Sequence, residues 1–182
     1  MSVLETTVKA LPDGTFAVDP AHSQVGFEVE HLGITTIRGR FTVISGALAG
    51  GEEPTLEGVV DLTSVTTDEE QRDGHLVSPD FFDVARFPQA TFRSTSFEQL
   101  GHGTVHVAGD LTLKGVTSEV ELTGSVAGPA ADPYGNERVG LALAGVIDRN
   151  AFGVKWNAPL PGGGFMLPDD VRIVLDVSAV KG

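Results

Sequence analysis

The run Val105-His106-Val107-Ala108-Gly109-Asp110-Leu111-Thr112-Leu113 is followed by Lys114-Gly115 and then by Val116-Thr117-Ser118-Glu119-Val120-Glu121-Leu122. Val105, Val107, Leu111 and Leu113 share one parity, while His106, Asp110 and Thr112 share the other. That is the two-residue period of a half-buried β-strand. Beyond Lys114-Gly115 the alternation resumes, with Val120, Leu122 and Val126 opposing Glu119, Glu121 and Thr123. Two alternating runs separated by two turn-forming residues predict a tight antiparallel hairpin.

The same pattern extends in both directions. Val25, Phe27 and Val29 oppose Gln24, Glu28 and Glu30; Leu56, Val60 and Leu62 oppose Glu57 and Asp61. Leu141, Leu143 and Ile147 share a face, as do Val171, Ile173, Leu175 and Val177. With 37–48 and 89–97 added there are about eight strands. Gly51-Glu52-Glu53-Pro54 and Asp132-Pro133-Tyr134-Gly135 are turn signals between them. The 23 Gly and 10 Pro also argue for short strands and turns over long helices. Antiparallel neighbours without helical spacers fit an up-and-down barrel or a sandwich, and composition leaves both open.

Two stretches break the pattern. Thr67-Asp68-Glu69-Glu70 is a capping-box sequence that predicts a short helix starting there, and Asp80-Phe81-Phe82-Asp83 is expected to add a second helical turn. Trp156 to Asp170 holds Pro159, Pro161, Gly162, Gly163, Gly164 and Pro168 and reads as a long loop lining an opening. There are no repeats and no linker, so the 182 residues are read as one domain, 1–182, with a core over about 15–180.

Composition excludes several functions. Without cysteine there is no disulfide, thiolate metal site or Cys nucleophile. A net charge of −13 disfavours nucleic acid and anionic headgroups as partners. No run of about 18 apolar residues exists, so stable membrane insertion is not expected. Met1 to Lys9 lacks a basic segment followed by an apolar run, from which a cytoplasmic location is expected.

The polar residues do not spell a catalytic motif. His102 and His106 would lie about 13 Å apart along a strand, too far for one ion. His22, His31 and His75 have no metal-site spacing, so no metal is expected. Asp73, His75 and Ser78 are the residue types of a hydrolytic triad, but they lie too close in one segment for its geometry and lack a nucleophile-elbow context. Arg72 with Asp73, and Asp148 with Arg149, are better read as pins: salt bridges, or hydrogen bonds to loop carbonyls, that fix a segment over a barrel end.

Gln71-Arg72-Asp73-Gly74-His75-Leu76 followed by Asp80-Phe81-Phe82-Asp83, Phe87-Pro88 and Phe92-Arg93-Ser94 resembles the signature of the YceI-like proteins. Asp19-Pro20-Ala21-His22-Ser23 with Phe27 and His31, Gly39-Arg40-Phe41, Gly109 to Thr117 and Asp148-Arg149 match in the same order. The resemblance covers roughly 15–180. It implies an all-β, eight-stranded antiparallel lipocalin-like barrel, with the 67–83 insertion placed after the fourth strand. It also implies non-catalytic binding, transport or storage of a long-chain amphiphile: a polyisoprenoid such as an isoprenoid quinone or polyprenyl phosphate, or a fatty chain. A homodimer is the expected assembly.

The lumen wall chosen by alternation and aromatic content is Val25, Phe27, Val29, Phe41, Val60, Leu62, Phe92, Leu111, Leu143, Ile147, Phe152 and Trp156. His22, Arg72, Asp73, His75, Phe81, Phe82, Asp148 and Arg149 are assigned to the barrel mouth or to structural roles. Apart from a polyisoprenoid or fatty-chain ligand no cofactor is expected. Two other readings stay open: an enzyme acting on a lipid headgroup through His22, Asp73 or His75, and a packed interaction domain without a lumen.

Overall fold

The computed structural model describes residues 11–182; the Met1–Lys9 segment lies outside the described residues. The strands are β1 (Thr15–Val18), β2 (Gln24–His31), β3 (Thr35–Phe41), β4 (Ile44–Ala49), β5 (Thr55–Asp61), β6 (Val65–Thr66), β7 (Gln89–Gly101), β8 (Thr104–Leu113), β9 (Val116–Ala131), β10 (Glu137–Asp148) and β11 (Asp170–Lys181). One α-helix, α1, spans Glu70–Val77.

Eleven segments make eight staves. β1 and β2 are one long strand interrupted by a 3-10 turn at Pro20–His22, because both pair with β11, at 179–181 and 172–176. β3 and β4 continue each other, pairing with β2 and β1 respectively, and β5 and β6 pair with β4 and β3. Each stave then lies beside its neighbour in sequence, all antiparallel, and β11 returns to the first stave. The result is a closed up-and-down barrel, joined into a ring by the pairing of β1 with β11. Closure comes from pairing between the chain's two ends, which periodicity alone could not distinguish from a sandwich.

The β8–β9 hairpin forms as its alternation predicts. Leu113 opposes Val116 across two residues at positive φ, Lys114 (52°) and Gly115 (77°), the geometry of a type I′ turn. The helical insertion needs three corrections. It follows the third stave, not the fourth strand. Its N-cap is Glu69, whose carboxylate accepts from the Arg72 amide at 2.6 Å, whereas Thr67 lies outside the helix. Asp80–Asp83 closes as hydrogen-bonded turns and not as a second helix: the Phe81 and Asp83 amides donate to the Ser78 carbonyl, and Asp83 takes φ 52°.

The inward side chains divide the barrel into two halves. One half is filled by Leu11, Phe16, Leu48, Val105, Val107 and their neighbours, all almost fully buried. The other holds Phe27, Phe82, Leu62, Ile147 and Phe152 beneath α1 and the 153–169 loop, and it is not completely filled.

Candidate functional site

An apolar cavity of about 210 Å³ occupies the second half of the barrel. Its wall comes from alternate positions on the staves, because inward residues on one strand are two apart. β2 gives Val25, Phe27 and Val29, while β11 gives Val171, Ile173, Leu175 and Val177. Phe41, Val60, Leu62, Phe92, Leu111 and Ile147 join them. Leu76 of α1, Phe81 and Phe82 of the following turn, and Val154 and Leu167 of the long loop cover the open end.

Three of the twelve residues assigned to the wall lie elsewhere. Leu143 points inward but sits in the filled half, with Leu175 and Gly124 as cross-strand partners. Alternation assigns a face and says nothing about depth. Phe152 is core behind the cavity, in a 3-10 turn over Arg149–Phe152. Trp156 packs outside, its ring 4.7 Å from His75 and 5.4 Å from Phe81. The latter two sit in irregular segments, where alternation has no meaning. Leu76, Leu167, Val154, Ile44 and Ala90 were not selected by sequence. For Ile44 and Ala90 the signal was available, since they share their faces with Leu48 and Phe92.

The cap is held by polar groups. Among the described residues the buried polar or charged ones are Thr67, Asp83 and Arg149, and all three belong to it. Asp73 Oδ1 accepts from the Thr67 amide at 2.8 Å and from its hydroxyl at 2.5 Å. Arg72 donates from Nε to the Thr67 hydroxyl and from Nη2 to the Thr67 carbonyl. Arg72 and Asp73 thus grip one threonine in common. Arg149 donates from Nε to the Pro168 carbonyl and from Nη1 to the carbonyls of Val154 and Trp156, at 2.8–2.9 Å. Burial pushes its guanidinium below the ordinary value, opposed by the charges of Asp169 and Asp148. Asp148 itself caps the 3-10 turn by accepting from the Asn150 amide. Lys114, read from sequence only as a turn residue, donates to the Pro79 and Gly153 carbonyls and so joins the two segments of the cap.

Two aromatic groups stand on either side of this cap. Phe27, Phe41 and Phe82 meet inside at centroid distances of 5.9–6.4 Å. His75, Phe81 and Trp156 meet over it, and His75 Nε2 lies 2.8 Å from Asp80. His22 is not at the mouth. It is exposed on the outside of the wall, paired with Asp19, which also takes the Arg138 guanidinium. His22, Asp73 and His75 therefore form no common constellation: each has a separate partner, and none lines the cavity.

An up-and-down barrel with a capped apolar lumen defines the chain as a lipocalin-like protein. Residues 16–179 match the model of the YceI-like domain, and the chain belongs to that family. A UPF0312 protein of Vibrio campbellii is 39% identical over 142 residues, covering 72% of this chain and 75% of that protein. Among solved structures, Burkholderia cenocepacia BcnA superposes with TM-score 0.75 at 24% identity, covering 88% of this chain and 98% of that one. A polyisoprenoid binding domain from Saccharophagus degradans, implicated in plant cell wall breakdown, superposes with TM-score 0.66 at 19% identity over 92% of this chain and 98% of that one. At those identities the two structures speak for the fold. Among the described residues no helix is long and apolar enough to cross a membrane.

Proposed function

We propose that this protein binds a long-chain amphiphile, a polyisoprenoid or a molecule with a comparable chain, and carries or stores it without chemical change. The observation that carries this reading is the lumen: its wall is built almost wholly from aliphatic and aromatic side chains. A chain can gain about 0.8 kcal/mol per methylene buried in such a space. Ser45, Glu57 and Thr91 contribute to the lining from outward-facing strand positions, and the Glu57 carboxylate is exposed beside Arg93 outside the barrel. The buried charged group at the lining, Arg149, has three N–H···O bonds committed to the loop over the cavity. The polyisoprenoid-binding neighbour of the same fold supports the choice of ligand class.

Binding should therefore depend on chain length and little on headgroup charge or salt. The test combines native mass spectrometry of the purified protein, to find a co-purified lipid, with a titration series of one headgroup on prenyl chains of increasing length at low and high salt. Affinity that climbs with each unit until the lumen is full supports the proposal. Affinity indifferent to length, but lost in salt or on removing a phosphate, overturns it.

A further inference from the structure

The floor of the lumen has an unusual composition at one level. Along β5 the inward positions are Leu56, Gly58 and Val60, from the filled half towards the cap. Gly58 is opposed by Gly46 on β4 and by Phe92 on β7. The two glycines are not equivalent. A Cβ at Gly46 would lie 3.2 Å from Val18 Cγ2 and 2.6 Å from the Glu57 carbonyl oxygen, so that space is already taken. A Cβ at Gly58 would meet only the Ser45 carbonyl oxygen, at 3.5 Å, an ordinary contact. Gly58 lines the cavity. It sits in the regular ladder without positive φ, so its conformation does not call for glycine. Phe92, beside it, is drawn aside: its ring fills the place a side chain on Gly109 would occupy, 2.6 Å from a Cβ there. One layer deeper, Leu48 and Leu56 are buried.

We propose that Gly58 sets the depth of the lumen and thereby the longest chain the protein accepts. This rests on the chain-binding reading above. A glycine weakens a strand interior and packs nothing, so its use here is as an omission that keeps one layer hollow. Filling it would raise the floor by about two residues of strand, roughly 7 Å.

The experiment compares the unmodified protein with Gly58→Leu and the milder Gly58→Ala in titrations with geraniol, farnesol, geranylgeraniol and longer prenyl alcohols. In Gly58→Leu the length at which affinity stops rising should move at least one prenyl unit shorter. The longest chains should lose about a hundredfold or more, since each methylene denied burial costs about a factor of four and a prenyl unit carries several such carbons. The shortest chain should bind as before, and the ligand-free melting temperature should not fall. Gly58→Ala should give a smaller shift in the same direction, which keeps the test valid if the leucine variant folds poorly. An unchanged length profile in variants that fold and bind overturns the role of Gly58 and leaves the chain-binding reading intact. Failure of the unmodified protein to bind any chain overturns that reading itself.

Discussion

Asp73 shows how a single residue of the cap can be needed without lining the cavity. Its carboxylate satisfies both the amide and the hydroxyl of Thr67, a residue only 6% exposed. Asp73→Ala would leave those donors buried without their acceptor, a loss of about 1–3 kcal/mol. Denaturant unfolding of the ligand-free variant measures it, and an unchanged midpoint would mean that water replaces the carboxylate at no cost. The sequence already marked Asp73 as a pin, but not its partner, because Thr67 looked like a helix cap. A glycine in the same region carries information of a different kind. Gly115 takes positive φ in the β8–β9 turn, and a Cβ there would lie 2.7 Å from the Phe87 ring. The Lys114-Gly115 and Phe87-Pro88 motifs are thus two sides of one contact, visible only after folding.

The cap segments depend on carbonyl clamps, because a loop with few backbone ladders needs other partners for its polar groups. Arg149→Met removes the donor of three such carbonyls. The 153–169 loop should loosen, with a stability loss on the order of 2 kcal/mol and faster proteolytic cleavage within the loop, while the strands stay protected. Cleavage at the unmodified rate would show that the loop's other contacts suffice. Lys114→Met should loosen both cap segments less, because its contacts are more exposed.

A second polar cluster, not picked out from the sequence, ties the β9–β10 turn to the first stave. Arg138 donates to Asp19 and Asp132, each at 2.9 Å. Arg138 first and His22 second hold the Asp19 carboxyl at about 2. Asn136 above all holds Asp132 far below the usual carboxylate range. The folded pKa of Asp19 is depressed relative to an unfolded value of about 3.9, so its contribution is complete above that pH and lost as pH falls towards 2. Arg138→Met should flatten the fall in stability between about pH 4 and pH 2, while lowering stability at neutral pH. Acid titrations followed by circular dichroism compare the slopes; parallel curves would show that Arg138 does not set the Asp19 carboxyl.

At the scale of the whole molecule, the sequence disclosed the strands, the tight hairpin and most of the inward faces, since a period of two survives any arrangement of staves. It did not disclose depth. Leu48 and Leu111 both occupy inward positions, yet Leu48 is 1% exposed in the filled half and Leu111 lines the lumen. The contrast predicts how the two halves respond to the same substitution. Leu48→Ala opens a new void in close packing and should cost about 3–5 kcal/mol. Leu111→Ala enlarges a void that already exists and gives up fewer contacts, so about 1–2 kcal/mol is expected. Saturating a bound chain should stabilise the unmodified protein through binding linkage and recover less in Leu111→Ala, whose wall grips the chain more weakly. Chemical denaturation with and without ligand reads all of these terms. Equal losses in the ligand-free variants would mean that the second half collapses around the gap in solution. The barrel would then be packed throughout, and a chain could enter only by opening the cap and displacing the side chains beneath it.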